Sequence, residues 1–239
     1  MNKVYNTVWN ESIGMWVVTS ELTRKGGQRP RQIRRTVLAG LVAGLLLPSA
    51  PTLATAWDSV TLGSGGTSGS MTLNAGDTAN NTTINSGGGQ DVFSGGSATS
   101  TTINSGGGQA VYSGGSATST TINGGWQYVY NSGSATSTTI NSGGRQHVSG
   151  GGSATSTTIN GGQQYVSSGG SATSTTINGG GQTVSSGGSA TSTTINSGGG
   201  QAVYSGGSAT STTINDGWQN VYNSGSATST TINGGGQAV

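Results

Sequence analysis

Of the 239 residues, 47 are glycine, 29% are hydrophobic and 6% are charged, so large apolar side chains are too few to fill a compact core and the chain is either disordered or a repeat array. There is no cysteine, which excludes a disulfide framework and a thiolate metal site. Seven of the eight Lys and Arg residues precede residue 57, whereas the rest of the chain holds only Arg145 against four aspartates; that region lacks the clustered cations of a nucleic-acid surface.

Residues 1–56 are predicted to be an extended secretory signal peptide that is cleaved. A basic stretch at 29–35 is followed by an apolar run of 11 residues from Val37 to Leu47 and by small residues ending at Ala56. An apolar run of this length is too short to span a bilayer, which needs about 20 residues. We expect the signal peptide to be helical or disordered and to be cleaved after Ala56, with Ala54 as the second choice.

The first 28 residues extend beyond what membrane targeting requires. They contain Asn2, Lys3, Tyr5, Trp9, Asn10, Gly14, Val18, Ser20, Glu21, Leu22 and Arg24. This pattern resembles the extended signal peptide region of type V secreted proteins, the autotransporters of Gram-negative bacteria. The resemblance implies passage through the Sec machinery and slow translocation across the inner membrane. A small amphipathic domain is the alternative interpretation of the same residues.

After residue 76, one motif recurs with a period of 18 or 19 residues. The octapeptide SATSTTIN occurs eight times, a degenerate copy spans 77–85, and each copy is followed by a Gly-rich turn and by Gln-x-Val. Every step from a Val to the next Ile is 11 residues, whereas the step from an Ile to the next Val is 7 or 8. Because an insertion within a strand would reverse its faces, this variation places surface turns at the Gly-rich segments.

This period predicts an all-β fold, a parallel β-helix of eight or nine coils over residues 77–239, with 57–76 as an N-terminal cap or linker. Each coil is expected to contain two strands, ATSTTI and QxVx. Strand alternation directs one set of side chains inward, namely Ile103, Val111, Thr101, Thr99 and Gln109, and a second set to solvent, namely Thr102, Ser100, Ala110 and Tyr112. We expect Asn104, Gln109 and their equivalents to form ladders between coils. A disordered chain is the alternative, but it does not require Ile and Val at fixed intervals.

Residues after position 56 offer no recognisable catalytic constellation. They include one His, no Lys and four scattered aspartates. His147 occupies the outward x of a Gln-x-Val and is expected to be solvated. The segment 87–91 has the only Asp at its position among the repeats, which disfavours a calcium-binding roll, and the Gly pairs are expected to form turns rather than a phosphate loop. We therefore expect neither an enzyme nor a cofactor.

Aromatic residues lie on and next to the Gln-x-Val strands. Neighbouring rings are expected either to stack along the rod and stiffen it, or to form a strip that contacts carbohydrate or another copy of the rod. The candidate contact strip consists of Phe93, Tyr112, Trp126, Tyr128, Tyr130, Tyr204, Trp218 and Tyr222.

The repeat SGGSATSTTINSGGGQAV resembles that of the AIDA-type self-associating autotransporter adhesins, with the SGG turn, the TTIN strand and the GGxQxV strand in the same order. The resemblance implies a right-handed parallel β-helix passenger that is exported through the periplasm to the bacterial cell surface or secreted. It implies adhesion, autoaggregation and biofilm formation, and O-heptosylation of passenger Ser and Thr by a cytoplasmic heptosyltransferase. The candidate acceptors are the hydroxyls of Ser100, Thr102, Ser119, Thr121, Ser137, Thr139, Ser156, Thr158, Ser174, Thr176, Ser192, Thr194, Ser211, Thr213, Ser229 and Thr231.

The same resemblance implies further partners. Members of the family end in a translocating C-terminal β-barrel, whereas this sequence stops in mid-repeat at Val239, so we expect an N-terminal fragment whose barrel is encoded further along. Contacts are expected with a host-cell surface or with identical passengers on neighbouring cells. The alternatives are a structural stalk that presents a distal head, an ice-binding face built from the Thr arrays, and hydroxyls that serve only as polar strand residues.

Overall fold

The structure, a computed structural model, describes residues 5–10, 15–20 and 53–239. The first two ranges form strands β1 (Tyr5–Asn10) and β2 (Met15–Ser20), which pair antiparallel. The expectation of a helical or disordered leader is wrong for these residues, because both segments are rich in Val, Trp, Tyr and Thr, which favour strands. The apolar run at 37–47 lies outside the described residues. The described residues contain no helix that is long and apolar enough to cross a membrane.

Residues 53–239 form a parallel β-solenoid of ten coils whose strands belong to three ten-stranded sheets. Each coil contributes one strand to each sheet, so the coil has three strands rather than the two predicted. We name the sheets after their buried apolar residue: the alanine sheet, the isoleucine sheet and the valine sheet.

The strands are short and follow one another in the same order in every coil. The alanine sheet contains β3 (Ala56–Asp58), β6 (Thr78–Asn80), β9 (Ser97–Thr99), β12 (Ser116–Thr118), β15 (Ser134–Thr136), β18 (Ser153–Thr155), β21 (Ser171–Thr173), β24 (Ser189–Thr191), β27 (Ser208–Thr210) and β30 (Ser226–Thr228). The isoleucine sheet contains β4 (Thr61–Leu62), β7 (Thr83–Ile84), β10 (Thr102–Asn104), β13 (Thr121–Asn123), β16 (Thr139–Asn141), β19 (Thr158–Asn160), β22 (Thr176–Ile177), β25 (Thr194–Ile195), β28 (Thr213–Ile214) and β31 (Thr231–Ile232). The valine sheet contains β5 (Ser70–Leu73), β8 (Gly89–Val92), β11 (Gly108–Val111), β14 (Trp126–Val129), β17 (Arg145–Val148), β20 (Gln163–Val166), β23 (Gly180–Val184), β26 (Gly199–Val203), β29 (Trp218–Val221) and β32 (Gly236–Ala238).

The octapeptide forms two strands because its fourth residue turns the backbone. Ser100 has φ 56°, in the left-handed region, and its equivalents in all the other coils have φ between 53° and 57°. The amide of Ser100 donates to the carbonyl oxygen of Thr118 in the next coil at 2.9 Å, which fixes this corner. Strand alternation does not continue through the corner, so Thr99 lies outside, contrary to the prediction, whereas Thr101 is buried as predicted.

Three apolar columns fill the interior. Residues pair in register with their equivalents in the next coil, as Ile103 does with Ile122 and Val111 with Val129. The predicted inward direction of Ile103 and Val111 is confirmed, because both side chains are completely buried. Ala110 was expected to face solvent but is buried, since its short side chain lies in register between Asp91 and Tyr128.

A ladder of glutamine and threonine side chains completes the interior. The Gln109 amide nitrogen donates to the Gln90 side-chain oxygen at 2.6 Å and to the Thr101 hydroxyl at 3.3 Å, and Thr120 donates to Gln109 at 3.4 Å. This arrangement recurs along the solenoid and leaves no buried side-chain polar atom without a partner among the described residues. The predicted Gln ladder is confirmed, and the Asn104 equivalents form a second ladder at the surface, broken between Asn104 and Asn123.

The first coil lacks the repeat motif but adopts the same register. Trp57, Leu62, Met71 and Leu73 pair with Ala79, Ile84, Gln90 and Val92, respectively. The segment 57–76, expected as a cap or linker, contains most of this coil. Ala56, the predicted cleavage position, is the first residue of β3, and the position of cleavage stays a prediction.

Asp77 joins the chain that enters the solenoid to the turn after the first coil. Its carboxylate accepts hydrogen bonds from the backbone amides of Thr55 at 2.7 Å and Asn74 at 2.9 Å. These hydrogen bonds stabilise the ionised form and hold the pKa of Asp77 below its ordinary value.

Candidate functional site

The candidate hydroxyl acceptors form two outer columns that differ in exposure. The serine at the left-handed corner is exposed in all eight exact repeats, and we call these residues the corner serines. They are Ser100, Ser119, Ser137, Ser156, Ser174, Ser192, Ser211 and Ser229. Because each of the eight repeat coils contains one, consecutive corner serines are separated by about 4.8 Å, the distance between neighbouring strands.

The second predicted column begins each strand of the isoleucine sheet. Its threonines, such as Thr102 and Thr139, are half-buried, except Thr231 in the last coil, which is exposed. The Thr101 equivalents are hydrogen-bonded in the ladder and, except for the half-buried Thr230 of the last coil, are buried, so they are poorly accessible to a modifying enzyme. The structure therefore ranks the corner serines first for access, followed by the Thr102 column and the outward Thr99 column that sequence analysis placed inside.

The predicted aromatic residues lie together on the outer side of the valine sheet, in two clusters. Phe93 stacks on Tyr112 with ring centroids 4.4 Å apart, and Tyr112 meets Tyr130 edge to face at 4.7 Å. Tyr204 stacks on Tyr222 at 5.0 Å in the second cluster. The expected stacking of neighbouring rings along the rod is confirmed.

Trp126 and Trp218 are positioned differently from the tyrosines. Each pairs in register with a glycine of the preceding coil, Trp126 with Gly108 and Trp218 with Gly200. A Cβ atom at either glycine would overlap with the indole, so each indole lies directly against the preceding backbone. The indoles nevertheless remain 40% and 48% exposed.

His147, which was predicted to be a solvated surface residue, lies in a different environment from the one expected. It lies on the outer face, as predicted, but it is half-buried between Tyr165, at 4.7 Å between ring centroids, and Tyr128, at 4.9 Å. Burial, together with the positive charge of Arg145, lowers the pKa of His147. Burial also raises the pKa of Tyr130, where Tyr112 adds to the effect.

His147 and Tyr165 extend the first cluster across five coils, and sequence analysis did not include them in the strip. They occupy the x position of Gln-x-Val, as Tyr128 does, whereas most rings of the predicted strip follow the Val. The signal that identifies them is their position in the repeat. Tyr128, His147 and Tyr165 occupy the same position in three consecutive coils, and these positions pair in register. Within 53–239, no three His, Asp or Glu side chains are grouped closely enough to hold a metal ion.

Comparisons with known proteins match both parts of the chain. Residues 1–50 match the family described as the extended signal peptide of the type V secretion system. Residues 58–107, 85–125, 103–144, 159–199 and 177–217 match the family described as an adhesin of the bacterial autotransporter system, probable stalk.

Two curated relatives are each 68% identical over 92 residues, or 38% of this chain. They are the autotransporter CRAC of Citrobacter rodentium (strain ICC168) and the autotransporter adhesin/invasin TibA of Escherichia coli O78:H11 (strain H10407 / ETEC). The matched segment spans only 6% and 9% of the length of these relatives, respectively.

A solved structure is also similar, the TibC-catalyzed hyper-glycosylated TibA55-350 fragment. It is 42% identical in sequence, with a TM-score of 0.43, and the match covers 77% of this chain and 96% of the fragment. The adhesin repeats recur through more than half of the chain behind a type V signal peptide. The chain therefore belongs to the autotransporter adhesins, which are exported to the bacterial cell surface and outer membrane.

Proposed function

We propose that this solenoid is a glycosylated passenger region that promotes adhesion, autoaggregation and biofilm formation through repeated weak contacts. The observation that carries the proposal is the column of exposed corner serines, one in each repeat coil. Evenly spaced copies of one weak contact give high avidity without a high affinity at any single coil. Binding rather than catalysis is the proposed activity.

The corner serines are the proposed main acceptors of O-linked heptose, and a cytoplasmic heptosyltransferase is the proposed partner. TibA, which shares 68% identity with this chain over 92 residues, is the protein whose fragment TibC glycosylates. The left-handed corner favours serine over threonine at this position, because a β-branched residue is strained in that backbone conformation. Serine is the proposed acceptor because it is exposed there. The half-buried Thr102 column is the proposed second acceptor set.

Intact-mass analysis of two variants tests the assignment of acceptors. One variant replaces all eight corner serines with Gly, which tolerates the left-handed backbone, and the other replaces the eight strand threonines of the Thr102 column with Val. Both are produced with and without TibC. We expect mass increments of one heptose each that are largely lost in the corner variant and retained in the threonine variant. The reverse result would assign the modification to the threonines, and an unchanged mass of the unaltered chain would refute the modification.

The adhesive role is tested on whole cells. Cells that display the protein are expected to settle faster than cells lacking it, and cells with the corner variant are expected to settle more slowly than cells with the unaltered protein. Equal settling of displaying and non-displaying cells would refute the proposed adhesion.

A structural stalk is the second candidate function. Its support is the matched family, described as a probable stalk, and the uniform ladder that runs through the solenoid. Replacement of these coils by an unrelated β-solenoid of equal length distinguishes the two functions. Retained adhesion would favour the stalk, whereas lost adhesion would favour direct contacts by this surface.

A further inference from the structure

The same local arrangement occurs twice on the valine sheet. Trp126 and Trp218 each begin a W-Q-x-V-Y sequence, and each indole covers a glycine of the preceding coil. In the second cluster, Tyr204 and Tyr222 stack on each other and cover one another's ring faces. The two indoles combine exposures of 40% and 48% with a ring that lies against the backbone of the preceding coil, which makes them flat apolar platforms on this face.

Uncharged polar side chains lie on the same strands as both indoles, and the exposed Asp216 precedes Trp218 by two residues. Tyr128 lies 5.2 Å from Trp126 between ring centroids. Near Trp218, the Asn220 side-chain amide donates to the Tyr222 hydroxyl oxygen at 2.8 Å. Arg145 is the one charged residue that pairs in register with either indole. An exposed indole with hydroxyl and amide neighbours fits a neutral sugar ring, whose C–H groups pack on the indole while its hydroxyls meet the polar groups.

The topology separates these indoles from the sugars proposed on the same molecule. Each coil has three corners, and the corner serines lie where the alanine sheet meets the isoleucine sheet. That corner is opposite the valine sheet, so sugars attached to it point away from the indoles of their own rod. The indoles are therefore available to sugars that belong to another molecule.

The spacing of the two indoles matches a second copy of the same rod. Pairing runs from Trp126 through Arg145, Gln163, Gly181 and Gly200 to Trp218. The indoles are thus five coils apart, about 24 Å at a strand spacing of about 4.8 Å. A second rod with corner serines in eight consecutive coils presents acceptors at the same spacing, so two of its sugars can meet both indoles at once.

We propose that Trp126 and Trp218 bind sugar residues carried by the corner serines of a second copy of this chain, an inference that rests on the glycosylation proposed above. The contact joins different surfaces of the two copies, so each bound copy still offers a free set of indoles or of sugars. Contacts of this kind do not close into a dimer and extend through many molecules. The two sites on one rod act together, which multiplies their effect through avidity.

A binding measurement between two forms of the whole chain tests this proposal. The unmodified chain is immobilised, and the chain produced with TibC is passed over it, with its glycosylation verified independently by intact mass. The test variant combines Trp126→Gly and Trp218→Gly. Glycine is the residue that occupies the equivalent position in the preceding coils, at Gly108 and Gly200. A matched control, Tyr204→Ser, removes a stacked ring and introduces the residue found at Ser185. Circular dichroism and thermal melting verify that both variants keep the fold.

We expect the glycosylated chain to bind the unaltered chain and to lose roughly 100-fold or more in affinity for the double Trp variant, because both linked sites are removed. The Tyr204→Ser control is expected to retain binding within about threefold of the unaltered chain, since no indole platform is lost. The glycosylated double variant, used as the mobile partner, should still bind the immobilised unaltered chain, since its sugars lie on the opposite corner.

Several outcomes would overturn the inference. Equal binding by the unmodified chain would show docking of a second copy without sugars, and unchanged binding to the double variant would exclude the indoles. Glycosylated protein that does not bind at all refutes this inference while leaving the proposed glycosylation intact. An unchanged mass after production with TibC refutes both, because the ligand is then missing.

Discussion

The inner and outer faces of the valine sheet differ in how far they repeat. On the inner face, the first position of the Gln-x-Val motif is Gln in nine coils and Met71 in the first coil. On the outer face, the x position carries Asp, Ala, Tyr, His, Thr or Asn in different coils. An inner side chain must bond to its own equivalent in the next coil, so one change breaks contacts on both sides. An outer side chain meets solvent or a partner. The repeated inner residues therefore determine the solenoid fold, and the variable outer residues make the surface of one coil different from that of the next.

Interruption of the inner ladder is expected to have the largest effect. Gln146 bonds to Gln127 and Thr138 and accepts hydrogen bonds from Thr157 and Gln164, all buried. Gln146→Leu leaves these groups with fewer partners and should lower the free energy of unfolding by about 3 kcal/mol or more. Chemical denaturation followed by circular dichroism measures the change.

The matched outer-face variant is Ala202→Thr, which introduces the residue of its in-register neighbour Thr183. We expect a change within about 0.5 kcal/mol, as for most surface substitutions. Similar losses for Gln146→Leu and Ala202→Thr would contradict the distinction between the two faces.

The sequence predicted the inner face well because the repeats report each position many times. Ile103, Val111 and Gln109 recur at fixed intervals, and stacking of like residues accounts for all three. The corner at Ser100 was missed, because ATSTTI reads as one uninterrupted strand and serine carries no strong signal for a left-handed backbone. The inward direction assigned to Thr99 was wrong for the same reason.

The outer face was predicted less completely because its contacts are not repetitive. The half-burial of His147 depends on Tyr128 and Tyr165 in the adjacent coils, which differ from the neighbours of every other x position. Sequence alone places His147 outside, as the structure does, but its burial follows only when the three coils are stacked in register. The candidate acceptor serines were placed outside, and their rank relative to Thr102 required the corner geometry.

The corner separates the two strands of the octapeptide, and a substitution there is expected to have the second largest effect on stability. Ser137 has φ 57°, and a β-branched residue there is strained, so Ser137→Val should cost about 1–2 kcal/mol. Ser137→Gly should be nearly neutral, because glycine adopts this conformation without strain. Thr139→Val, on a regular strand, serves as the control for loss of a hydroxyl. Equal stability of the Val and Gly variants at position 137 would refute corner strain.

The stacked rings are expected to contribute less to stability than the ladder. Tyr204 and Tyr222 stack at 5.0 Å and are each 41% exposed. A double-mutant cycle with Tyr204→Ser and Tyr222→Ser should give a coupling of about 0.5–1.5 kcal/mol. Thermal or chemical unfolding of the four proteins measures it. A coupling near zero would mean that these rings are free to serve contacts without stiffening the rod.

Protonation of His147 is expected to have the smallest effect on stability. Its titration tests whether the outer face excludes water around this side chain. Burial and Arg145 lower the folded-state pKa of His147 below its ordinary value of 6.5. As the pH falls below about 6.5, the unfolded chain binds a proton before the folded chain does, so stability falls with pH until the folded state is protonated as well.

An NMR titration of the His147 ring should therefore show a midpoint below 6.5. Arg145→Gln, the residue found in register at Gln163, removes the nearby charge and should raise this midpoint, while the contribution of burial remains. Tyr165→Thr uncovers one side of the imidazole and should raise the midpoint further, because burial is the larger cause. If Arg145→Gln alone restored the ordinary value, charge rather than burial would control this histidine, and the outer face at this coil would be as well hydrated as sequence analysis assumed.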